Sequence, residues 1–465
     1  MKNIKSFCLT VSLLIGALAA SAQHVSPVDF MRMNPYQMKS NPAADLPYQS
    51  VMSLVIGNLD LTLNTTTLRY DNLFDFDAQG RPVAVNLKKF ADGIPNKNHV
   101  GLEASESLFT LYRRIDAGML TFDYNIRAQA DLKFNDGLFK LAAYGNAAFL
   151  GEYHPAEIRI DLNAQAFQEL SVGYQRNINE RLSVGGRAKL LFGLANVTTD
   201  AFEARLFTDP ESYALRAQEN IAVRASMLSA VTLKDGDLAT NGGFSMGDLF
   251  HNPGLAIDLG AEYRFNRQFS GMAAVRDLGF ISWGGNNMQM RGQISDMGQY
   301  YDQGDFIFNG LSAEQIERIG SDTSYRRLFL DTLRQYFNID FLPAARYARM
   351  LNANVLLRGS YDIDGHNRIS MQLQGVFLGS GFRPAVTWAY SGSFYKMLDV
   401  CATYTVMPGS YDNIGIGVAG NFNTFHIYLT TNNFIGLFKP LNTSALNAQL
   451  GIVFNLRMPD NTAVD

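Results

Sequence analysis

Cysteine is almost absent. Only Cys8 and Cys401 occur in 465 residues, and Cys8 lies in a leader expected to be removed, so no intramolecular disulfide can brace the mature chain. Long apolar runs are missing as well: past Ala20 no segment offers the roughly 18 consecutive apolar residues of a membrane helix. No charge sign dominates. The 39 basic and 43 acidic side chains leave a net charge of −4, which gives no reason to expect a nucleic-acid partner. Catalytic and metal signatures are lacking too. The histidines, His24, His99, His154, His251, His366 and His426, form no HExxH pair and have no cysteine partner. No G-x-S-x-G elbow occurs, and Trp283-Gly284-Gly285 does not match a phosphate loop. Neither an enzyme nor a cofactor- or metal-dependent protein is expected.

What is present begins with an export signal. Lys2 and Lys5 precede an apolar stretch over residues 7–20, and Ala20-Ser21-Ala22 is a small-residue cleavage site. Cleavage is expected after Ala22, leaving Gln23 first. An exported chain without a membrane helix can end in the periplasm, in the outer membrane or outside the cell.

The middle of the chain decides among these. Leu120, Phe122, Tyr124, Ile126, Ala128, Ala130, Leu132 and Phe134 alternate with Thr121, Asp123, Asn125, Arg127, Gln129, Asp131 and Lys133. Residues 157–174 repeat the pattern, with apolar side chains at even positions and charged or amide ones at odd positions. After a polar turn at residues 177–181 it resumes, with Leu182, Val184, Ala188 and Leu190 opposite Ser183, Arg187 and Lys189. Period 2 marks β-strands with unlike faces. Soluble strands run to roughly 5–6 residues, whereas a tilted membrane-crossing strand needs about 9–11. Long strands with one greasy and one charged face predict an all-β fold, a transmembrane antiparallel β-barrel of about 14–16 strands. Within this pattern, inward Phe167 and outward Gln168 are exceptions that suggest a bulge.

The expected layout is a signal peptide at 1–22, an irregular N-terminal segment at 23–48, a barrel at 49–457 and a tail at 458–465. Short turns near Gly118, Asn179, Asp209, Arg267, Gly365, Ser393 and Asn421 are expected on the periplasmic side, and the connections 71–98, 135–155, 227–253, 281–342 and 432–444 outside. Tyr174, Tyr263 and Tyr361 each close a strand, where an interfacial aromatic girdle belongs. In the longest loop, 281–342, Ser312-Ala313-Glu314-Gln315 reads as a capping box opening a helix, followed by an amphipathic helix through Tyr325, Leu328 and Phe329. Cys401 alternates with Val400 and Ala402 and should face the interior. The lumen face carries both charge signs, with Asp123, Arg127, Arg187, Lys189, Glu262, Arg264 and Arg358 the candidates. A selective ion pore would show rings of one sign; mixed signs point to cross-strand pairs that brace the interior.

At Asn41-Pro42-Ala43 the chain resembles the FadL-like superfamily of outer-membrane barrels, in which an Asn-Pro-Ala motif lies in an N-terminal hatch. Residues 409–415 (Gly-Ser-Tyr-Asp-Asn-Ile-Gly), Tyr428, Thr431-Asn432-Asn433 and Leu342-Pro343-Ala344 are similar to an uncharacterised Bacteroidota outer-membrane family of that type. The resemblance implies a monomeric barrel in the cell outer membrane with Asn41, Pro42 and Ala43 in a plug. Superfamily members import long-chain fatty acids or aromatic hydrocarbons, or act as secretion-machinery shuttles. It therefore implies either a passive channel or binding protein for a hydrophobic small molecule, or a non-transporting scaffold. The partners implied are outer-membrane lipid, a hydrophobic ligand and the barrel-assembly machinery. The chain ends at Asp465 on a polar tail, so Phe454 is the aromatic left to mark the last strand.

Overall fold

The computed structural model describes residues 25–456, apart from 33, 45–51, 66–69, 116–117, 152–153, 212, 214, 228–230, 235–236, 241–245, 295–310, 337–339, 379–380, 396, 409, 423, 439–442 and 444. The expected leader and tail lie outside the described residues. Fourteen strands form the wall: β1 (Met52–Thr65), β2 (Asn98–Ile115), β3 (Gly118–Phe134), β4 (Ala156–Asn177), β5 (Leu182–Thr208), β6 (Asn252–Arg264), β7 (Phe269–Trp283), β8 (Ala353–Asp362), β9 (Asn367–Leu378), β10 (Gly381–Phe394), β11 (Leu398–Met407), β12 (Ser410–Asn421), β13 (Phe425–Thr431) and β14 (Ala445–Leu456). Each pairs antiparallel with the next, and β14 pairs back onto β1 through Met52↔Leu456 to Asn64↔Ala445. Closure leaves the wall without an edge, so every backbone amide has a partner where no water could supply one.

Alternation decides which face meets lipid. On β10, Phe382 (56% exposed), Trp388, Tyr390 and Phe394 (39%) point outward, while Thr387 and Ser391 are buried inside. From residue 382 to residue 394 the strand rises about 40 Å. At a tilt near 40° that spans roughly 30 Å of height, the thickness of a hydrocarbon core. Aromatics gather at both ends of this band. Tyr263 packs on Phe265, Phe269 on Tyr361 and Phe422 on Phe425 at one rim, and Phe377 on Phe382 at the other. Phe454 stands opposite Phe425 in register. This is a membrane-spanning barrel, and Tyr174, Tyr263 and Tyr361 sit in its inner girdle.

Several expected boundaries change. The strand count settles at fourteen because residues 202–206 and 213–225 are not two wall strands. β5 runs unbroken to Thr208, so the turn near Asp209 lies at the outer end and not on the periplasmic side. Residues Leu215–Ser226 pair with the upper half of β5 and then with Asn287–Ile294, which pairs with Asp340–Pro343. These strands form a crown above the membrane band, built from residues 215–226, which read in sequence as a wall strand, and from parts of what reads as the loop 281–342. β7 itself continues to Trp283, and Tyr347–Met350 pairs with its upper end. Two outer connections, after Leu378 and after Met407, are as short as the periplasmic turns. The capping box at Ser312 is present: its side chain accepts from Gln315 N, and Gln315 accepts from Ser312 N. Two helices follow, α1 (Ala313–Ser321) and α2 (Thr323–Tyr336). The bulge foreseen at Phe167 lies on the neighbouring strand: Ala166 pairs with Ala195 and Phe167 with Gly193, so Leu194 of β5 is the extra residue. Gln168, facing outward, accepts from Tyr124 Oη and donates to Leu249 O, a turn folded against the outside of the wall.

The C-terminal residues of the family resemblance are tied together. Asn433 donates to Thr443 Oγ1 (2.9 Å) and accepts from Gly436 N, and Ser410 Oγ donates to Asn413 Oδ1. This buried amide knot joins the outer ends of β12, β13 and β14 in place of longer pairing.

The crown holds one carboxyl that burial alone perturbs. Glu219 is 4% exposed, and among the described residues neither carboxylate oxygen has a hydrogen-bond partner. It pairs in register with Ala204, itself part of an apolar cluster with Leu206 and Ile158. Desolvation pushes its pKa up to about 8. An acid raised in the folded state stabilises most below its unfolded value, about 4.3, and that contribution is lost as pH rises through 8. Amide exchange in residues 215–226 is therefore expected to quicken between pH 5 and 9 beyond the intrinsic base catalysis, and Glu219→Gln to remove the excess. An equal pH response in the variant would count against the assignment.

Candidate functional site

Inside the barrel, inward polar residues of the wall and Lys39 of the N-terminal segment converge on a charge-neutral ion layer. Arg127 Nη1 lies 2.8 Å from Glu169 and 2.9 Å from Asp277, and its Nη2 donates to the second oxygen of Asp277 at 3.0 Å. Lys189 Nζ lies 2.6 Å from Asp277, 2.9 Å from Asp258 and 3.6 Å from Glu169. Arg187 bridges Asp258 and Asp123, each at 3.4 Å, and Lys39 stands 3.7 Å from Asp123. Thr110 and Ser171 donate to the same Asp123 carboxylate. Four cations face four anions, with side chains between 0% and 13% exposed. Such a network holds only while every member keeps its partners, because each charge has been taken out of water.

A backbone irregularity builds this layer. Opposite Ile257 and Leu259 of β6, β7 carries one residue too many, and Asp277 adopts φ 57°, a left-handed conformation uncommon outside glycine. The bulge turns two successive side chains inward. Asp277 reaches Arg127 and Lys189, and Arg276 Nη1 donates to Lys39 O. The sequence carries a trace of it: outward residues are odd at Gly271 and Ala273 but even at Leu278 and Phe280. That change of phase is the signal which would have found Asp277 and Arg276, neither of which stands among the sequence candidates.

Toward the outer ends of β4, β5 and β7 an apolar cluster adjoins the ion layer, while Gln129, Asp131 and Gln165 keep the neighbouring inner wall polar. Phe167, Leu191, Ile281 and Trp283 are 0% exposed and pack with Ala256, Leu351 and Tyr347, whose hydroxyl donates to Asn196 at 2.8 Å. The Arg127 guanidinium sits over the Phe167 ring, 5.3 Å from its centroid, and joins the ion layer to this cluster.

Below and beside the ion layer lies the N-terminal segment, residues 25–44, within the lumen. It is not the plain coil its prolines suggest. It contains a 3₁₀ turn, Pro27–Phe30, capped by Ser26, and one helical turn, Gln37–Ser40. Val28, Met31, Met38 and Ala43 are completely or almost completely buried. Val28, Met31 and Met38 pack on Val55, Cys401, Ala419, Tyr428 and Val453 of the wall, so Cys401 does face inward. Ser26 Oγ donates to Gln449 Oε1, Arg358 Nη1 to Asp29 O and Arg187 Nη2 to Met38 O. Lys39 Nζ donates to Asn125 Oδ1 at 2.7 Å and contacts Ser107 Oγ.

Each sequence candidate now has a position. Asn41 Nδ2 donates to Glu262 Oε2 at 2.9 Å, Asn41 Oδ1 accepts from Ala43 N, and Ala43 O accepts from Ser183 Oγ. Asp123, Arg127, Arg187 and Lys189 are brought together in the ion layer. Glu262, Arg264 and Arg358 are not. They line polar clefts nearer the periplasmic rim, between the segment and β5–β9. Arg358 is held by Gln372 Oε1 and lies over the Phe30 ring at 4.3 Å. A polar cavity of about 80 Å³, room for a few waters, separates Tyr36 and Lys39 from Arg127, Glu103 and Asn354.

Several solved structures align along nearly the whole chain. The toluene transporter TbuX of Ralstonia pickettii aligns with 8% identity and a TM-score of 0.43, over 94% of this chain and 97% of its own. The toluene transporter TodX of P. putida aligns with 9% identity and a TM-score of 0.43, over 90% and 94%. A FadL homologue of Pseudomonas aeruginosa gives 9%, 0.42, 94% and 98%. No curated protein matches the sequence. A family model does match, from Pro42 within the Asn-Pro-Ala turn to Asn432 beside the amide knot, and it covers most of the chain. The chain belongs to that family, the family of unknown function DUF5723.

Proposed function

We propose that this protein is an outer-membrane channel for a hydrophobic small molecule, closed by its own N-terminal segment acting as a plug. The observation that carries this reading is the apposition of an apolar cluster and an ion layer in one lumen. A buried apolar cluster around Trp283 lies on the outer side of the ion layer, and the plug lies on its periplasmic side. A barrel serving only as an anchor has no use for apolar side chains on its inner wall, where water would otherwise fill the space. An apolar solute arriving from outside finds in that cluster a part of the inner wall that matches it. Asn41, Pro42 and Ala43 belong to the plug, and the paired charges brace it and do not form a conduction path. The toluene transporters and the FadL homologue are similar in overall layout, and a hydrocarbon or fatty-acid ligand is the class we assign here on the apolar cluster.

The chain has only two tryptophans, Trp283 and the lipid-facing Trp388. In a Trp388→Phe background, Trp283 fluorescence reports on the apolar cluster alone. Titrating the protein in nanodiscs with toluene or a medium-chain fatty acid is expected to give a saturable change in emission. Only a linear drift, matching that of a membrane-embedded indole standard, would replace the channel reading with that of a sealed scaffold.

A further inference from the structure

We propose that the outer face of β6–β9 binds one phospholipid of the inner leaflet, with an acyl chain over Gly271 and Gly359 and the phosphate at Arg267. Such a site needs only the barrel and its orientation, and exists whether or not the lumen conducts.

The strand register builds a groove there. Two neighbouring rungs cross the four strands on the lipid side. One runs Tyr263, Gly271, Gly359, Met371, and the next runs Ala261, Ala273, Leu357, Leu373. The two glycines and two alanines form a floor. Tyr263 and Phe265 stand on one side of it as an edge-on pair, ring centroids 5.1 Å apart. Leu357, Met371 and Leu373 stand on the other. The space between them is about 540 Å³, within the roughly 300–1,000 Å³ of small-ligand sites.

The floor is barer than the rest of the lipid face. A glycine facing lipid leaves its strand uncovered, and an aromatic side chain laid over it restores the cover. Phe382 lies over Gly375, Phe394 over Gly392 and Phe422 over Gly420, where an added Cβ would come within 2.5 to 3.1 Å of the ring. Phe265 does the same for Gly271, at 3.1 Å. Gly359, the partner of Gly271 across the rung, has no such ring: a Cβ there meets nothing within 4 Å. A flexible hydrocarbon chain lying between Phe265 and Met371 supplies the missing cover.

Position selects the leaflet. Ala273 lies four residues beyond Phe269 on β7, about 13 Å of strand and about 10 Å of height at a tilt near 40°. The groove therefore occupies the periplasmic third of a hydrocarbon core about 30 Å thick. Chains anchored in the outer leaflet end near the midplane and do not enter it. The turn below the groove selects the headgroup. Asn266 Oδ1 accepts from Gln268 N and Phe269 N and so fixes the turn between Phe265 and Phe269. Arg267, at its tip, is the one charged residue of that turn, and a guanidinium at headgroup level suits a phosphate. Asp362, whose amide donates to Gln268 O, does not cancel this charge. Its carboxylate is taken by Arg32 at 3.2 Å and Arg368 at 2.8 Å.

Native mass spectrometry of the full-length mature protein, released from dodecyl maltoside with added phosphatidylglycerol, reads the site. Wild type is expected to retain one phospholipid. Gly359→Leu fills the floor, and displacing even two methylenes from the groove weakens binding about tenfold. Gly359→Val should act in the same direction and serves if the leucine variant does not assemble. Leu429→Ala, outward on β13 and 61% exposed, should bind as wild type does. Dioleoylglycerol, which has the chains but no phosphate, should bind wild type about fivefold more weakly, and Arg267→Gln should abolish that difference. Equal phospholipid retention by wild type and the Gly359 variants overturns the site. Equal retention of the two lipids by wild type overturns the phospholipid assignment, leaving a groove that takes any alkyl chain.

Discussion

Asp277→Asn is expected to destabilise the barrel by about 3–5 kcal/mol, the usual result of removing one partner from a buried ion pair. Asparagine keeps the shape of the side chain and tolerates the left-handed φ of 57°, so backbone strain is not the cause. The charge is. Asp277 receives both terminal nitrogens of Arg127 and lies 2.6 Å from Lys189. Without it the layer holds one uncompensated cation away from water. Lys189 keeps Asp258 at 2.9 Å, but Arg127 is left with Glu169 and the more distant Glu103 at 3.5 Å. Adding Lys189→Met restores neutrality, so the double variant should fall short of the summed single losses by roughly 1–3 kcal/mol. Urea unfolding in lipid vesicles measures both values. If Asp277→Asn stays within about 0.5 kcal/mol of wild type, the layer is a set of independent surface-like pairs and not one network.

The wall of this barrel is written plainly in the sequence, and the reason is physical. Lipid outside and polar groups inside give each side chain one of two solvents, and strand geometry forces strict alternation between them. Hence residues 120–134 and 157–190 could be assigned faces one by one. Where that contrast weakens, reading fails. Above the membrane band, residues 202–225 still alternate, but both faces meet protein or water. A crown strand then looks like a wall strand, and the turn near Asp209 was expected at the wrong end. The site was legible in its ingredients and not in its assembly. Asp123, Arg127, Arg187 and Lys189 could be assigned to the lumen, yet their shared partner Asp277 depends on a bulge that shows only as a phase change between Ala273 and Leu278. The seat for Asn41-Pro42-Ala43 was invisible for a related reason. It consists of what the register partners Gly185 and Gly260 lack, since a Cβ on Gly185 would lie 1.9 Å from Pro42 O and one on Gly260 3.0 Å from Pro42 Cδ, and glycine within a strand reads as weak propensity until the register sets two of them side by side.

Trp283→Ala should cost a comparable amount, about 3–5 kcal/mol, but by a different route: loss of transferred apolar surface together with the cavity left behind. The indole is wholly buried, and its ring lies where a Cβ on Gly193 would come within 2.4 Å. Its Nε1 has no hydrogen-bond partner among the described residues, so no polar interaction is lost with it, and Trp283→Phe should recover most of the deficit. The wall cannot collapse to fill the space, since β5 and β7 are fixed by their ladders on either side of β6. Gly193→Val, harmful alone because it would overpack against the ring, should in combination with Trp283→Ala restore part of the stability. The cavity also offers a test of what the apolar cluster receives. A small aromatic hydrocarbon that binds only the folded barrel raises its stability by about 2.7 kcal/mol at a hundredfold excess over Kd. Toluene is therefore expected to raise the unfolding midpoint of Trp283→Ala more than that of wild type, where Trp283 must first give way. A midpoint that toluene leaves unchanged in both proteins would mean that the apolar cluster is packing alone, and that the ligand of this barrel is held elsewhere.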